Sequence, residues 1–118
     1  MKILISPAKS LDYTSTLPTA KNSQPMFLSD AKKLNAALRL KNPTELQALM
    51  GISEKLAALN WRRNQDFTTP FSANNARPAV FAFNGDVYTG LDAYTLDETA
   101  LNVAQNNLRI LSGLYGLL

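Results

Sequence analysis

Cysteine and histidine are both absent from this 118-residue chain. Without cysteine there is no disulfide framework, no thiolate metal site and no thiol redox switch. Without histidine, the commonest metal ligand and the usual general base near neutral pH are gone as well. Long apolar runs are also missing. No stretch approaches the roughly 18 residues that cross a bilayer. The opening Met1-Lys2-Ile3-Leu4-Ile5-Ser6-Pro7 is too short in apolar residues for a secretory signal. A cytoplasmic location is the expectation left by exclusion. What remains is globular in composition, with 46% hydrophobic and 18% charged residues, enough for one domain or part of one.

Net charge is only +3, but it is unevenly placed. Between Ala31 and Arg63 seven basic residues stand against Glu45 and Glu54 alone, and the rest of the chain is net acidic. A polyanionic partner for that segment is one reading, and a solvated helical surface is the other.

Hydrophobic patterning predicts a mixed α/β fold with short strands near 2–6, 79–83 and 108–112. Lys2–Ser6 is a short apolar run ended by Pro7. Asp12–Gln24, rich in Thr, Ser, Pro and Asn, is a loop or extended arm. Ser29 or Asp30 caps a helix through about Leu40, with Ala31, Leu34 and Leu38 inward. Asn42-Pro43-Thr44-Glu45 has the residues of a capping box with proline at the first helical position. Leu46, Leu49 and Met50 share the face that follows, and Gly51 ends that helix. Ser53 caps the next, which turns Leu56 and Leu59 inward and runs towards Arg63. Ala79–Phe83 is an apolar run broken at Asn84-Gly85-Asp86, after which Val87–Leu91 starts a short helix. Thr95-Leu96-Asp97-Glu98 reads as another capping box. Leu108–Leu111 either extends the helix that follows or opens a strand. The apolar end, Leu111–Leu118, reads either as the edge of an unfinished domain or as a C-terminal strand tucked into the sheet.

The residues Met50-Gly51-Ile52-Ser53-Glu54-Lys55-Leu56-Ala57 resemble the turn of a helix–hairpin–helix, placing that element at 43–63. Gly51 lets the backbone adopt a conformation closed to bulkier residues and approach a phosphate. The helix that starts after the turn presents free N–H groups and a positive dipole end. Ile52 pins the turn, Lys55 adds charge, and Arg62 and Arg63 follow on the same helix. Such a grip touches the DNA backbone and not base edges, so binding is expected to be nearly independent of sequence and strongly dependent on salt. Ser53 departs from the motif's second glycine. The alternative is a plain helical hairpin without a nucleic-acid role. Trp61 and Phe67 flank the arginines and either stack on exposed bases or pack at the core edge.

Three further stretches occur in a fixed order: Ile5-Ser6-Pro7-Ala8-Lys9-Ser10-Leu11-Asp12, Phe83-Asn84-Gly85-Asp86-Val87-Tyr88-Thr89-Gly90-Leu91, and Leu108–Leu118. Together they resemble the YaaA family of bacterial peroxide-stress proteins, with Ser10 where threonine is more usual and Asn84 where lysine is frequent. The resemblance spans the whole chain, and family members continue well beyond its last residue. It implies that residues 1–118 form the N-terminal part of a single mixed α/β domain truncated at its C-terminus. It also implies DNA binding through a helix–hairpin–helix, and a role in limiting unincorporated iron under peroxide stress.

A second function class stays open beside DNA binding. Lys9, Asp12, Asp86 and Tyr88 lie where predicted strands end, the usual place for a ligand cleft in α/β folds. They are read either as a small-molecule or enzyme site or as turn caps and packing. The carboxylates Asp12, Asp86, Asp92, Asp97 and Glu98 show no metal-ligand spacing. No metal site, cofactor or catalytic residue is therefore assigned.

Overall fold

The computed structural model describes residues 1–118. In chain order the elements are β1 (Ile3–Ile5), β2 (Ser10–Leu11), α1 (Leu28–Arg39), α2 (Pro43–Met50), α3 (Glu54–Asp66), α4 (Ala79–Ala82), β3 (Phe83–Asn84), α5 (Asp86–Leu91), a 3₁₀ turn (Ala93–Thr95), α6 (Glu98–Asn107), β4 (Leu108–Ser112) and β5 (Gly116–Leu117). The fold is mixed α/β, as the patterning predicts. It divides into two compact units, Leu28–Pro70 and the remainder, Met1–Phe27 with Phe71–Leu118.

The Leu28–Pro70 unit is helical. Local chemistry sets α2: the Asn42 side chain accepts from the Glu45 N–H at 2.8 Å, and the Glu45 carboxylate accepts from the Asn42 N–H at 2.9 Å. That reciprocal pair satisfies two donors at the helix start, with Pro43 at the first position, where its missing N–H costs nothing. The core is built on small residues more than the pattern suggests. Ala31, Leu46 and Ala57 are fully buried, whereas Leu34, Leu49, Met50, Leu56 and Leu59 are exposed. On α1 the inward stripe runs Ala31, Asn35, Leu38, so Asn35 takes the place expected of Leu34. Helix α1 also starts at Leu28, earlier than expected, which puts Asp30 inside its first turn and within 3.6 Å of Lys33.

The other unit holds two small sheets. β1 and β4 pair in parallel with Ile3 opposite Leu108 and Ile5 opposite Ile110, and β5 folds back antiparallel on β4. β2 and β3 form an antiparallel ribbon, with Ser10 opposite Asn84 and Leu11 opposite Phe83. Phe81, Ala82, Tyr88, Ala93 and Ile110 form its core.

The strand expected at 79–83 is corrected here. Ala79–Ala82 make one helical turn, and only Phe83 and Asn84 are extended. Pro78 starts the turn: its carbonyl accepts from the Phe81 and Ala82 N–H groups, each at 3.0 Å. A short apolar run fits a buried helical turn as well as a strand, and periodicity does not separate them. The capping box expected at Thr95 moves too, since Asp97 is the cap of α6 and accepts from the Ala100 N–H at 2.8 Å. Leu108 is extended and opens β4, which settles the choice between helix and strand there.

Candidate nucleic-acid interface and a second cleft

The turn between α2 and α3 is defined by backbone geometry. Gly51 sits at φ 62°, ψ 40°, the left-handed region, with no atom within 4 Å of where a Cβ would stand. The Gln47 carbonyl accepts from both the Gly51 N–H (3.0 Å) and the Ile52 N–H (3.4 Å). These bonds close α2 in the manner of a Schellman end. Ile52 is half-buried, and Ser53 is the cap of α3, its Oγ accepting from the Leu56 N–H at 3.3 Å. The hydroxyl that replaces the expected glycine is thus committed to starting the helix. Only one of the four unpaired first-turn donors of α3 is taken this way.

Lys55, Arg62 and Arg63 are exposed, and none pairs with a carboxylate. Lys55 and Arg62 are two turns apart on one helix face. Glu54, beside the turn, is the one acidic side chain in that first turn. Across the whole Leu28–Pro70 unit seven basic residues stand against four acidic ones. Trp61 is 39% exposed, off the face that Lys55 and Arg62 share, and Phe67 is half-buried.

The four residues read as a ligand cleft separate in the structure. Asp12 and Tyr88 line one shallow cleft of about 360 Å³, together with Ser15, Asn84, Thr89 and Tyr94. Lys9 and Asp86 are exposed and do not line it. Asp12 is a turn-former. Its Oδ1 accepts from the N–H groups of Thr14 (2.9 Å) and Ser15 (3.0 Å), and its Oδ2 accepts from the Ser15 hydroxyl. The Ser15 hydroxyl first, then these two N–H groups, hold its carboxyl well below the usual carboxylate range. The buried Tyr88 hydroxyl donates to the Ser6 carbonyl at 2.7 Å, and burial raises its pKa. Tyr94 and Arg77, which spacing did not single out, sit behind Asp12. Arg77 donates to the Tyr94 hydroxyl (3.2 Å), which donates to the Phe81 carbonyl (2.7 Å) and lies 3.5 Å from Asp12 Oδ2. No local sequence signal marks that link, because it joins residues brought together only by the fold.

No group of three acidic side chains is placed to hold a metal ion. No helix is long and apolar enough to cross a membrane.

The three stretches singled out in the sequence converge in one unit. β1 pairs with β4, β2 with β3, Tyr88 reaches Ser6, and Gly85 packs so closely on Ala8 that an added Cβ would lie 3.1 Å from the Ala8 Cβ. The class so defined is a mixed α/β protein whose motif stretches interlock around two short sheets and which carries a helical hairpin. Residues 1–118 match the model of the family described as peroxide stress protein YaaA, and the chain belongs to that family. It is 58% identical over 118 residues to a UPF0246 protein of Flavobacterium johnsoniae, covering 100% of this chain and 47% of that protein. A UPF0246 protein of Flavobacterium psychrophilum is 56% identical with the same coverage. One of Hahella chejuensis is 54% identical over all of this chain and 46% of its own length. The chain thus spans about half the length of the curated relatives it matches.

Proposed function

We propose that the α2–α3 hairpin is a helix–hairpin–helix that grips the DNA phosphate backbone with little regard to sequence, within a cytoplasmic protein of peroxide stress. On this reading the whole protein limits unincorporated iron and so protects DNA and proteins from oxidation. The stress role draws on family membership. The DNA role is carried by one observation: a left-handed Gly51 at the turn leads directly into the capped start of α3, which bears Lys55, Arg62 and Arg63 unpaired towards solvent. A turn of this kind presents backbone donors and the positive end of a helix dipole to an anion. The small-molecule alternative keeps only Asp12 and Tyr88 of its four residues in one cleft, and both already have structural partners.

Lys55→Glu combined with Arg62→Ala and Arg63→Ala tests the hairpin. Each phosphate contact contributes about 0.9 to the slope of log affinity against log salt. Loss of all three side chains should abolish measurable duplex binding at moderate salt and flatten the slope by about 2.7. A folded triple variant with wild-type affinity at low salt would sink the reading.

A further inference from the structure

A second cationic feature lies in the same helical unit, away from the turn. A pocket of about 290 Å³ opens between α1 and the segment following α3, with Lys32, Asn35 and Arg39 on one side and Phe67, Thr68 and Thr69 on the other. Lys32, Asn35 and Arg39 fall on one stripe of α1, and the two cations are about 10.5 Å apart along its axis at 1.5 Å per residue. Ala36 lies between them and is too small to fill the gap. No carboxylate lines the pocket. The acidic residue of α1, Asp30, pairs with Lys33, and Lys32 makes no ion pair.

Arg39 is held in place. Its Nη2 donates to the Gln65 carbonyl at 3.1 Å, and Gln65 Nε2 donates back to the Arg39 carbonyl at 3.2 Å. That clamp orients the guanidinium while using one of its five N–H donors. Asn35 is the buried polar side chain of the chain, 3% exposed, and its Nδ2 donates to the Asn64 carbonyl at 3.2 Å. A concave site with two cations, an oriented guanidinium fork and no negative charge selects an anion with several acceptor oxygens.

We propose that this pocket is a second phosphate site, separate from the Gly51 turn, and that its ligand is a nucleic-acid phosphate, internal or at a strand end. The inference rests on reading the unit as nucleic-acid binding. The turn lies at the start of α3 and the pocket beyond its end. The 13 residues of α3 span about 20 Å. One phosphate does not reach from the turn to the pocket, so the contributions of Lys55 at the one and of Lys32 and Arg39 at the other to the salt slope add, while Arg62 and Arg63 lie towards the pocket end of α3.

The test is salt-titrated fluorescence anisotropy of the chain on a short labelled duplex, with and without 5′-phosphates. Wild type is compared with Lys32→Gln/Arg39→Gln and with the hairpin triple variant, and inorganic phosphate serves as a competitor. The pocket variant should lose about 1 to 2 from the slope and bind about tenfold more weakly at low salt. Tighter wild-type binding to the 5′-phosphorylated duplex, absent in the pocket variant, makes the ligand a strand end. Weaker binding of the pocket variant to both duplexes alike makes it an internal phosphate. Wild-type affinity and slope for the pocket variant on both duplexes overturn the proposal, and leave the hairpin reading standing if the triple variant still fails to bind. The reverse pattern supports the pocket and overturns the hairpin. Because Arg39 also clamps Gln65, a double variant that melts is replaced by Lys32→Gln alone. Its expected slope loss is about 0.9, and no loss overturns the proposal.

Discussion

Replacing Gly51 by alanine puts a Cβ on a residue held at φ 62°, ψ 40°. Nothing lies within 4 Å of that Cβ, so the cost is not a clash. It is the strain of a left-handed conformation in an L-residue, about 1–2 kcal/mol. Alanine also restricts the unfolded chain, which returns about 0.4–1 kcal/mol. The expected net loss is about 1 kcal/mol, or a few degrees in Tm for a chain of this size. Gly51→Asn should lose less, since asparagine tolerates the left-handed region. Urea unfolding followed by fluorescence of Trp61, the one tryptophan, reads the helix that the turn feeds. The midpoint should fall in the order glycine, asparagine, alanine at unchanged m. An alanine variant as stable as wild type would show that the turn does not depend on the left-handed residue, and the account of Gly51 would fail with it.

Two further outcomes follow from single charges. Glu54→Gln removes the one carboxylate in the first turn of α3 and should tighten duplex binding severalfold at low salt, with the gain gone near 1 M salt, where the Debye length is about 3 Å; unchanged low-salt affinity in anisotropy titrations would place the phosphate elsewhere. Asp12 has its folded pKa depressed well below the ordinary carboxylate range by the Ser15 hydroxyl and the Ser15 and Thr14 N–H groups, so its contribution to stability is present above the unfolded value and is lost as pH falls through the folded one. Asp12→Asn should therefore be less stable than wild type at neutral pH, with the gap in Tm closing as pH drops below about 4; a gap that is constant with pH would mean the carboxylate's charge plays no part in the Thr14–Ser15 turn.

The hairpin was legible because its determinants are local. Asn42, Pro43 and Glu45, then Gly51, then Ser53 each act on donors or dihedrals a few residues away, and the structure realises each of them. The inward faces were less so. Ala57 and Asn35 are buried while Leu34, Leu56 and Leu59 are exposed, because which stripe of a helix faces inward depends on its neighbours as well as on its own apolar residues. The strand expected at 79–83 is a helical turn over Ala79–Ala82. The deciding feature was the Pro78 carbonyl, with strand pairing left to Phe83 and Asn84. The cleft was the least legible part. Tyr94 reaches Asp12 across 82 positions of sequence and Arg77 across 17, and no spacing rule connects residues that meet only after the sheets have formed.

The family assignment and the DNA reading stand on different residues. The stretches that carry the family likeness have structural work within the sheet-bearing unit. Asp12 caps the Thr14–Ser15 turn, Tyr88 ties to Ser6, and the Ser112 hydroxyl accepts from the Tyr115 N–H at 3.1 Å. Gly116, at φ 73°, leaves a Cβ position 3.0 Å from the Phe27 ring, so it is needed for both conformation and space. These are demands of backbone pairing and close packing, and they hold whatever the protein binds. Lys55, Arg62 and Arg63 face solvent without ion-pair partners, and only Arg63, in the last turn of α3, stands where its charge favours the helix. A failed hairpin test would thus remove the DNA contact and leave the family membership intact.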